Sequence, residues 1–313
     1  MKYKQWCEIA PRTEQQKRAY KLKIVKQNFV GTSMVILPFL GFLCFTLFPM
    51  LLSLALAFSN LRSALISEAM FDAGLKNFIY VIKDEYTWKA MRTTLVYSLT
   101  TFLNVAIAVF LASVMNRHIY GKKFYFVLFF LPQVCSSVAV AMMWRWVFAE
   151  NGVINAFRLV GGKSAIDFFT DANYYMLAIF VMSVWKNGTN IVILLSAFSA
   201  INKSLQEAAR LDGADEMHVF WNVTFPQLTP TIFYLITMNL IAALQEQALF
   251  QLINTSATGP NFWGLTLTYQ MYRLMNVNLQ YGLSCAMSWF IGIFILIVTK
   301  INFALSKKWV SYD

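Results

Sequence analysis

Glu207-Ala208-Ala209-Arg210-Leu211-Asp212-Gly213, followed ten residues on by Val223-Thr224-Phe225-Pro226, forms a polar interval between two long apolar runs. Its residues spell out a short helix. Ser204 and Glu207 have the spacing of a capping box, with Ser204 as N-cap and Glu207 reaching back from N3. Gly213 suits the left-handed position that ends such a helix. Pro226 stands before the next apolar run, where a missing N–H is harmless at a helix start. A stiff, water-side element of this kind is one a partner protein can push on.

What surrounds it is too apolar for a soluble protein. Of 313 residues, 58% are hydrophobic and 13% charged, with 28 Phe and 15 Met, which leaves too little polar surface to cover a core in water. The charges cluster between apolar runs, so the net +11 follows membrane topology and does not indicate nucleic acid. Cys7, Cys44, Cys135 and Cys285 are dispersed, with no metal or redox spacing.

A bilayer core takes about 20 apolar residues per helix. Six segments qualify, at 33–58, 93–115, 124–148, 175–199, 228–252 and 283–305. The expectation is an all-α integral membrane protein of six transmembrane helices. Its parts are a basic N-terminal segment (1–32), a membrane domain (33–305) and a short tail (306–313). The first 32 residues hold eight Lys and Arg, and the apolar run after them is too long for a cleaved signal, so it reads as a retained anchor. With the N-terminus inside, the inner segments 1–32, 116–123, 200–227 and 306–313 hold 8, 3, 2 and 2 basic residues. The outer segments 59–92, 149–174 and 253–282 hold 5, 2 and 1. Both termini and the Glu207–Pro226 element are therefore expected in the cytoplasm. On the outer side, Phe71 to Ile82 reads as an interfacial amphipathic helix, with Trp144, Trp146 and Tyr174 as belt aromatics.

Catalytic chemistry finds little support. Gly162-Lys163-Ser164 resembles the end of a P-loop, but Phe157 stands where the motif needs glycine, and no strand precedes it. His118 and His218 lie apart from any carboxylate or cysteine cluster. No metal site and no ATPase site is expected.

Polar residues within the spans carry the stronger signal, because they are expensive in hydrocarbon and face a bundle interior or a wet cavity. The fourth span holds Ser183, Lys186, Asn187, Thr189 and Asn190; the fifth holds Asn239, Gln245, Glu246, Gln247, Gln251 and Asn254. On a continuous helix Asn239 and Glu246 share one face, and Gln247, Gln251 and Asn254 form a neighbouring stripe. Such amide-rich chemistry suits a neutral polyhydroxylated ligand, with rings stacked on Trp185, Phe250 or Tyr269. Hydrogen bonding between helices is the plainer explanation of the same residues, and Lys186 with Glu246 reads equally as a structural ion pair. Gln133, Ser136 and Ser137, beside Pro132, are weaker candidates.

Taken together, Glu207-Ala208-Ala209…Gly213…Val223-Thr224-Phe225-Pro226 resembles the EAA loop of membrane subunits in binding-protein-dependent ABC importers. Arg210-Leu211-Asp212-Gly213-Ala214 adds a likeness to carbohydrate importers. So do Gly74-Leu75-Lys76-Asn77-Phe78, Trp144-Arg145-Trp146, Gly259-Pro260 and Tyr281-Gly282-Leu283-Ser284-Cys285-Ala286. Val223 and Phe225 replace the usual Ile and Leu, and Thr258 replaces the first glycine of Gly-Gly-Pro. The chain resembles the first of the two permeases of such systems, the maltose-type F or glycerol-phosphate-type A subunit. That likeness implies a type I importer fold and partnership with a second homologous permease, two cytoplasmic ATPase subunits and an extracellular solute-binding protein. It implies that 204–217 is a coupling helix. There Glu207 is the polar contact, Ala208 and Ala209 the packing surface, and Asp212 and Gly213 the turn. It also implies sugar contacts at Gln133 and Ser137, near Lys186, Asn187 and Asn190, and near Gln245, Glu246 and Gln247; the polar stripe adds Asn239 and Gln251 as candidate contacts. The competing expectation is an ion-coupled secondary transporter working through Glu246 or Lys186, although the inverted repeats common in such folds are not evident.

Overall fold

Long runs of Leu, Ile, Val and Phe become helices in an apolar medium because each backbone N–H must find its partner within the same segment. The computed structural model describes residues 28, 29, 31–62, 71–116, 120–254, 256 and 258–311, and among these every regular element is helical. His118 and most of the basic N-terminal segment lie outside the described residues. Four helices are long and apolar enough to cross a membrane: α1 (Gly31–Leu56), α3 (Glu85–Asn116), α10 (Glu216–Leu244) and α13 (Tyr281–Ser306). α2 (Lys76–Lys83) precedes α3.

The expected third and fourth spans are bent pairs. Segment 124–148 is not one helix: α4 (Lys122–Val134) and α5 (Ser137–Val147) meet at 103°. Cys135 and Ser136 between them are extended, and the Ser136 hydroxyl accepts from Ala139 N, capping α5. Pro132 withholds a donor from the last turn of α4, so the ladder ends just beyond it. Segment 175–199 divides into α7 (Ala172–Trp185) and α8 (Gly188–Ala200), bent by 46° at Lys186 and Asn187. Between them, α6 (Val153–Val160) is tied back by Asn155. Its amide donates to the Ala149 and Ile166 carbonyls and accepts from Ile166 N.

The expected fifth span, 228–252, also stops early. α10 ends at Leu244, and a short α11 (Ala248–Ile253) begins after Gln245, Glu246 and Gln247. At its other end α10 starts ten residues before Pro226, which therefore does not open a helix. Instead the turn Phe220–Thr224 widens to i→i+5 just before the proline. The same device precedes Pro49 in α1, at Leu43–Leu47. A proline ring collides with the carbonyl four residues back in an α-turn, and the wider turn makes room for it. α12 (Leu267–Asn276) leads into α13.

From Ala57 onward, two apolar clusters form the interior. One joins Val105, Ala108 and Ala112 of α3 to Ile191, Leu194 and Phe198 of α8, closed by Leu228, Ile232 and Leu235 of α10. Alanines at the contact let backbones approach closely, which is how helices associate when the surroundings are themselves apolar. Gly188 serves the same end: a Cβ there would stand 2.7 Å from the Phe129 carbonyl oxygen of α4. The other cluster gathers Tyr97, Tyr175, Met182, Phe250, Leu265 and Met287. Between the two lies a polar belt.

Candidate functional site

The belt arises where helices break or carry amides. Asn104 of α3 donates to Ser183 Oγ of α7 (3.1 Å), and Asn187 Nδ2 donates to the Asn104 carbonyl (2.7 Å). Asn190 Nδ2 reaches Asn187 Oδ1 (2.6 Å), and Asn239 Nδ2 of α10 reaches Asn190 Oδ1 (3.0 Å). This amide chain joins four helices, α3, α7, α8 and α10, and holds the α7–α8 bend in place. Asn187 and Asn190 are buried in it, which makes them structural members of the belt.

Next to this chain is a cavity of about 270 Å³. Of the residues singled out from sequence, Gln133, Ser137, Ser183, Lys186, Asn239 and Glu246 line it, brought from six elements and junctions. Tyr97, Thr100, Thr101 and Asn104 line it as well. Asn104 and the threonines were missed because 93–115 reads as a plain apolar span. Their spacing at 100, 101 and 104 on one helical face was the available signal. Thr101 Oγ1 and Asn104 Oδ1 are buried without a hydrogen-bond partner, a state that costs free energy unless a further group supplies the bond.

Gln245, Gln247 and Gln251 fall outside the cavity lining. Gln245 is exposed, and Gln247 Nε2 donates to Gln251 Oε1 (2.8 Å). The helix break at 245–247 also separates Asn239 and Glu246, which share the cavity without sharing a helix. Asn254 is structural: it accepts from the Tyr175 hydroxyl and donates to the Gly264 carbonyl. Phe250 is fully buried edge-on against Tyr97, and Tyr269 is 8% exposed, so neither offers a stacking face. Trp185 keeps 38% exposure. The expected Lys186–Glu246 ion pair is not formed. Lys186 Nζ instead donates to Ser137 Oγ (3.3 Å), and Glu246 Oε1 accepts from Leu249 N (3.0 Å).

At the other site, 204–217 is not one helix. α9 (Lys203–Leu211) is capped by Asn202, whose Oδ1 accepts from Ser204 N (3.1 Å) and Ser204 Oγ (2.9 Å). Asn202 thus displaces Ser204 as N-cap. Gly213 ends the helix at φ +88°, with Gly213 N bonded to the Arg210 carbonyl and Ala214 N to the Ala209 carbonyl. This is the Schellman arrangement, and it needs a residue at ease with positive φ. Asp215 then caps α10 through His218 N (2.7 Å), and that bond holds the Asp215 carboxyl below its ordinary range. Arg210 clasps Glu216 at 2.7 and 3.3 Å, which raises the guanidinium still further. Gln206 Nε2 donates to Thr224 Oγ1 (3.3 Å), fastening α9 to the widened turn of α10. Glu207, Ala208, Asp212 and Gly213 are exposed and Ala209 partly so, flanked by Leu205, Leu211 and Met217 at 49%, 88% and 64% exposure. α9 and the start of α10 thus present large apolar side chains at the surface beside polar ones, a pattern found at interaction surfaces.

Residues 104–310 match the family described as binding-protein-dependent transport system inner membrane component. The chain is 34% identical over 300 residues to the probable ABC transporter permease protein YesP of Bacillus subtilis (strain 168), covering 93% of this chain and 94% of that protein. It is 30% identical over 265 residues to the sn-glycerol-3-phosphate transport system permease protein UgpA of Agrobacterium fabrum, covering 83% and 89%. Among solved structures, it superposes on a chain of a bacterial ABC transporter involved in the import of the acidic polysaccharide alginate. The TM-score is 0.79 at 22% identity, covering 92% of this chain and 99% of that one. A structure of bacterial alginate ABC transporter in complex with alginate pentasaccharide-bound periplasmic protein gives the same score, covering 91% and 96%. These two likenesses concern the fold.

Proposed function

The chain belongs to the family of binding-protein-dependent transport system inner membrane components, and on that premise we propose that it passes a sugar or oligosaccharide across the cytoplasmic membrane as one permease of an ATP-driven importer. With each bent pair taken as one crossing the chain crosses six times, and both termini and the 200–227 loop lie on the cytoplasmic side; the excess of Lys and Arg in the N-terminal segment supports that orientation. A second homologous permease completes the pathway, an extracellular solute-binding protein delivers the solute, and two cytoplasmic ATPase subunits hydrolyse ATP. The cargo in the name of the relative from Agrobacterium fabrum, sn-glycerol-3-phosphate, supports a polyol-type solute.

One observation carries this reading: a polar cavity with unmet hydrogen-bonding atoms, set between two apolar cores. Gln133, Ser137, Lys186, Asn239 and Glu246 make transient contacts with the solute there, while Asn187 and Asn190 hold the wall. ATP-driven closure of the ATPase pair draws α9 with it, through Glu207, the two alanines and the Asp212–Gly213 turn. The caps and the Gln206–Thr224 bond pass that movement to α10, and the cavity changes the side to which it opens. Packed helices switch between discrete arrangements, so a rigid arm transmits such a movement well.

The ion-coupled alternative draws on Glu246 and Lys186, two charged groups in the cavity wall. Uptake into proteoliposomes holding the assembled complex separates the two. Dependence on ATP supports the importer; uptake without ATP that collapses on adding an ionophore supports the alternative and sinks the proposal.

A further inference from the structure

Lys186 and Glu246 are the two charged residues among those lining the cavity, and they do not neutralise each other. Lys186 stands at the α7–α8 bend, where φ −92° and ψ 53° interrupt the helix and turn its side chain toward α5. Its ammonium has three N–H donors, and the contact it makes is with Ser137 Oγ at 3.3 Å. A hydroxyl carries no charge, so the cation remains uncompensated. Glu246 is engaged elsewhere, by Leu249 N of its own chain segment. In the wall of the same cavity, Asn104 Oδ1 and Thr101 Oγ1 are buried with no hydrogen-bond partner. The lining therefore offers one cationic donor, Lys186, beside Ser137 and the Gln133 amide, and one anionic acceptor, Glu246.

Resting on the transport reading above, we propose that the Lys186 pole recognises a negative charge on the solute. The cargo is then an anionic polyol, a sugar bearing a carboxylate or phosphate, and not the neutral ligand that the amide-rich sequence suggests. A neutral sugar that displaces water from around Lys186 leaves the ammonium without a charged partner, which is costly where the dielectric is low. An anion placed on Lys186 removes that cost, while its hydroxyls donate to Glu246. The two charged groups thus sort the ends of one ligand.

The test uses the complex with its partner permease and ATPases in nanodiscs. Binding of trigalacturonate, its fully methyl-esterified form, glycerol 3-phosphate and glycerol is measured by calorimetry. Each acid should bind about tenfold or more tightly than its neutral counterpart, as a charge-assisted hydrogen bond provides. The trigalacturonate and glycerol 3-phosphate arms tell carboxylate from phosphate. Lys186→Met should bring acid and neutral probes within about twofold, and Lys186→Arg should keep the preference, confirming that the complex still assembles. Equal binding of acid and neutral probes, an unchanged preference in Lys186→Met, or no binding of any probe overturns the inference. ATP-driven uptake of acid and ester at equal rates would sink the charge reading and leave the transport reading standing, whereas ATP-independent uptake would sink the latter.

Discussion

The 200–227 arm and the cavity belt are built in opposite ways. The arm is made mostly of local contacts: Asn202 to Ser204, Gly213 to Arg210, Asp215 to His218 and Arg210 to Glu216 all span six residues or fewer, and the Gln206–Thr224 bond spans 18. The belt is made of distant ones. Asn104 meets Ser183 across 79 residues, and Asn190 meets Asn239 across 49. A lever has to keep its shape while everything around it moves, so short-range caps serve it. A transient site has to rearrange, and bonds between separate helices let it do so when those helices shift.

The contrast can be broken most severely at Gly188. Gly188→Leu forces a side chain into the Phe129 carbonyl, and overpacking of this kind costs about 1–3 kcal/mol. Because α4 lines the cavity through Gln133 and α8 begins two residues after Lys186 of the lining, a lowered melting temperature and a loss of solute-stimulated ATPase should appear together; a thermally normal variant would show that the close approach is not needed. Gly213→Val comes next. Placing a β-branched residue at φ +88° costs about 1–2 kcal/mol locally. Here the two readouts should separate, with complex assembly intact and stimulation of ATPase lost. Loss of both would mean that the arm is not an independent unit.

Asn190→Ala probes the belt more gently. It removes the bond from the Asn239 amide across to α8 and leaves that amide its own-helix bond to the Leu235 carbonyl (2.7 Å); such interhelical bonds average about 0.6 kcal/mol, reaching about 1.7. Solute affinity should fall severalfold with little change in thermal stability, and a wild-type affinity would remove the amide chain from the account. The smallest effect belongs to Asp215. Its carboxyl lies below the ordinary value in the folded state, so its contribution is present above the unfolded value of about 3.9 and fades as pH falls through the folded one. Amide exchange at His218, corrected for intrinsic rate, should stay slow at neutral pH and quicken only in acid. In Asp215→Ala it should be fast throughout.

The same contrast explains what could be read from sequence. Gly213 shows its left-handed turn in sequence because a cap depends on neighbours along the chain. Even there a stronger cap two residues upstream, Asn202, took the place assigned to Ser204. The breaks at 135–136, 186–187 and 245–247 were hidden, because apolar residues continue on both sides and hydropathy registers only the run. Their traces were present as Pro132 with Ser136, as Asn187-Gly188, and as Gln245-Glu246-Gln247. Which trace becomes a break depends on what packs against it. For that reason the pairing of Gln247 with Gln251, the burial of Phe250 and the separation of Lys186 from Glu246 could not be inferred from spacing alone.

The central claim is that the arm and the cavity move as parts of one machine. A cysteine at Ser183, in a chain without Cys7, Cys44, Cys135 and Cys285, can be labelled with a membrane-impermeant thiol reagent in the reconstituted complex. The account predicts that a non-hydrolysable ATP analogue changes the labelling rate from the cytoplasmic face about tenfold or more, and that Gly213→Val abolishes this response. An identical rate with and without nucleotide in the Gly213 form would contradict it.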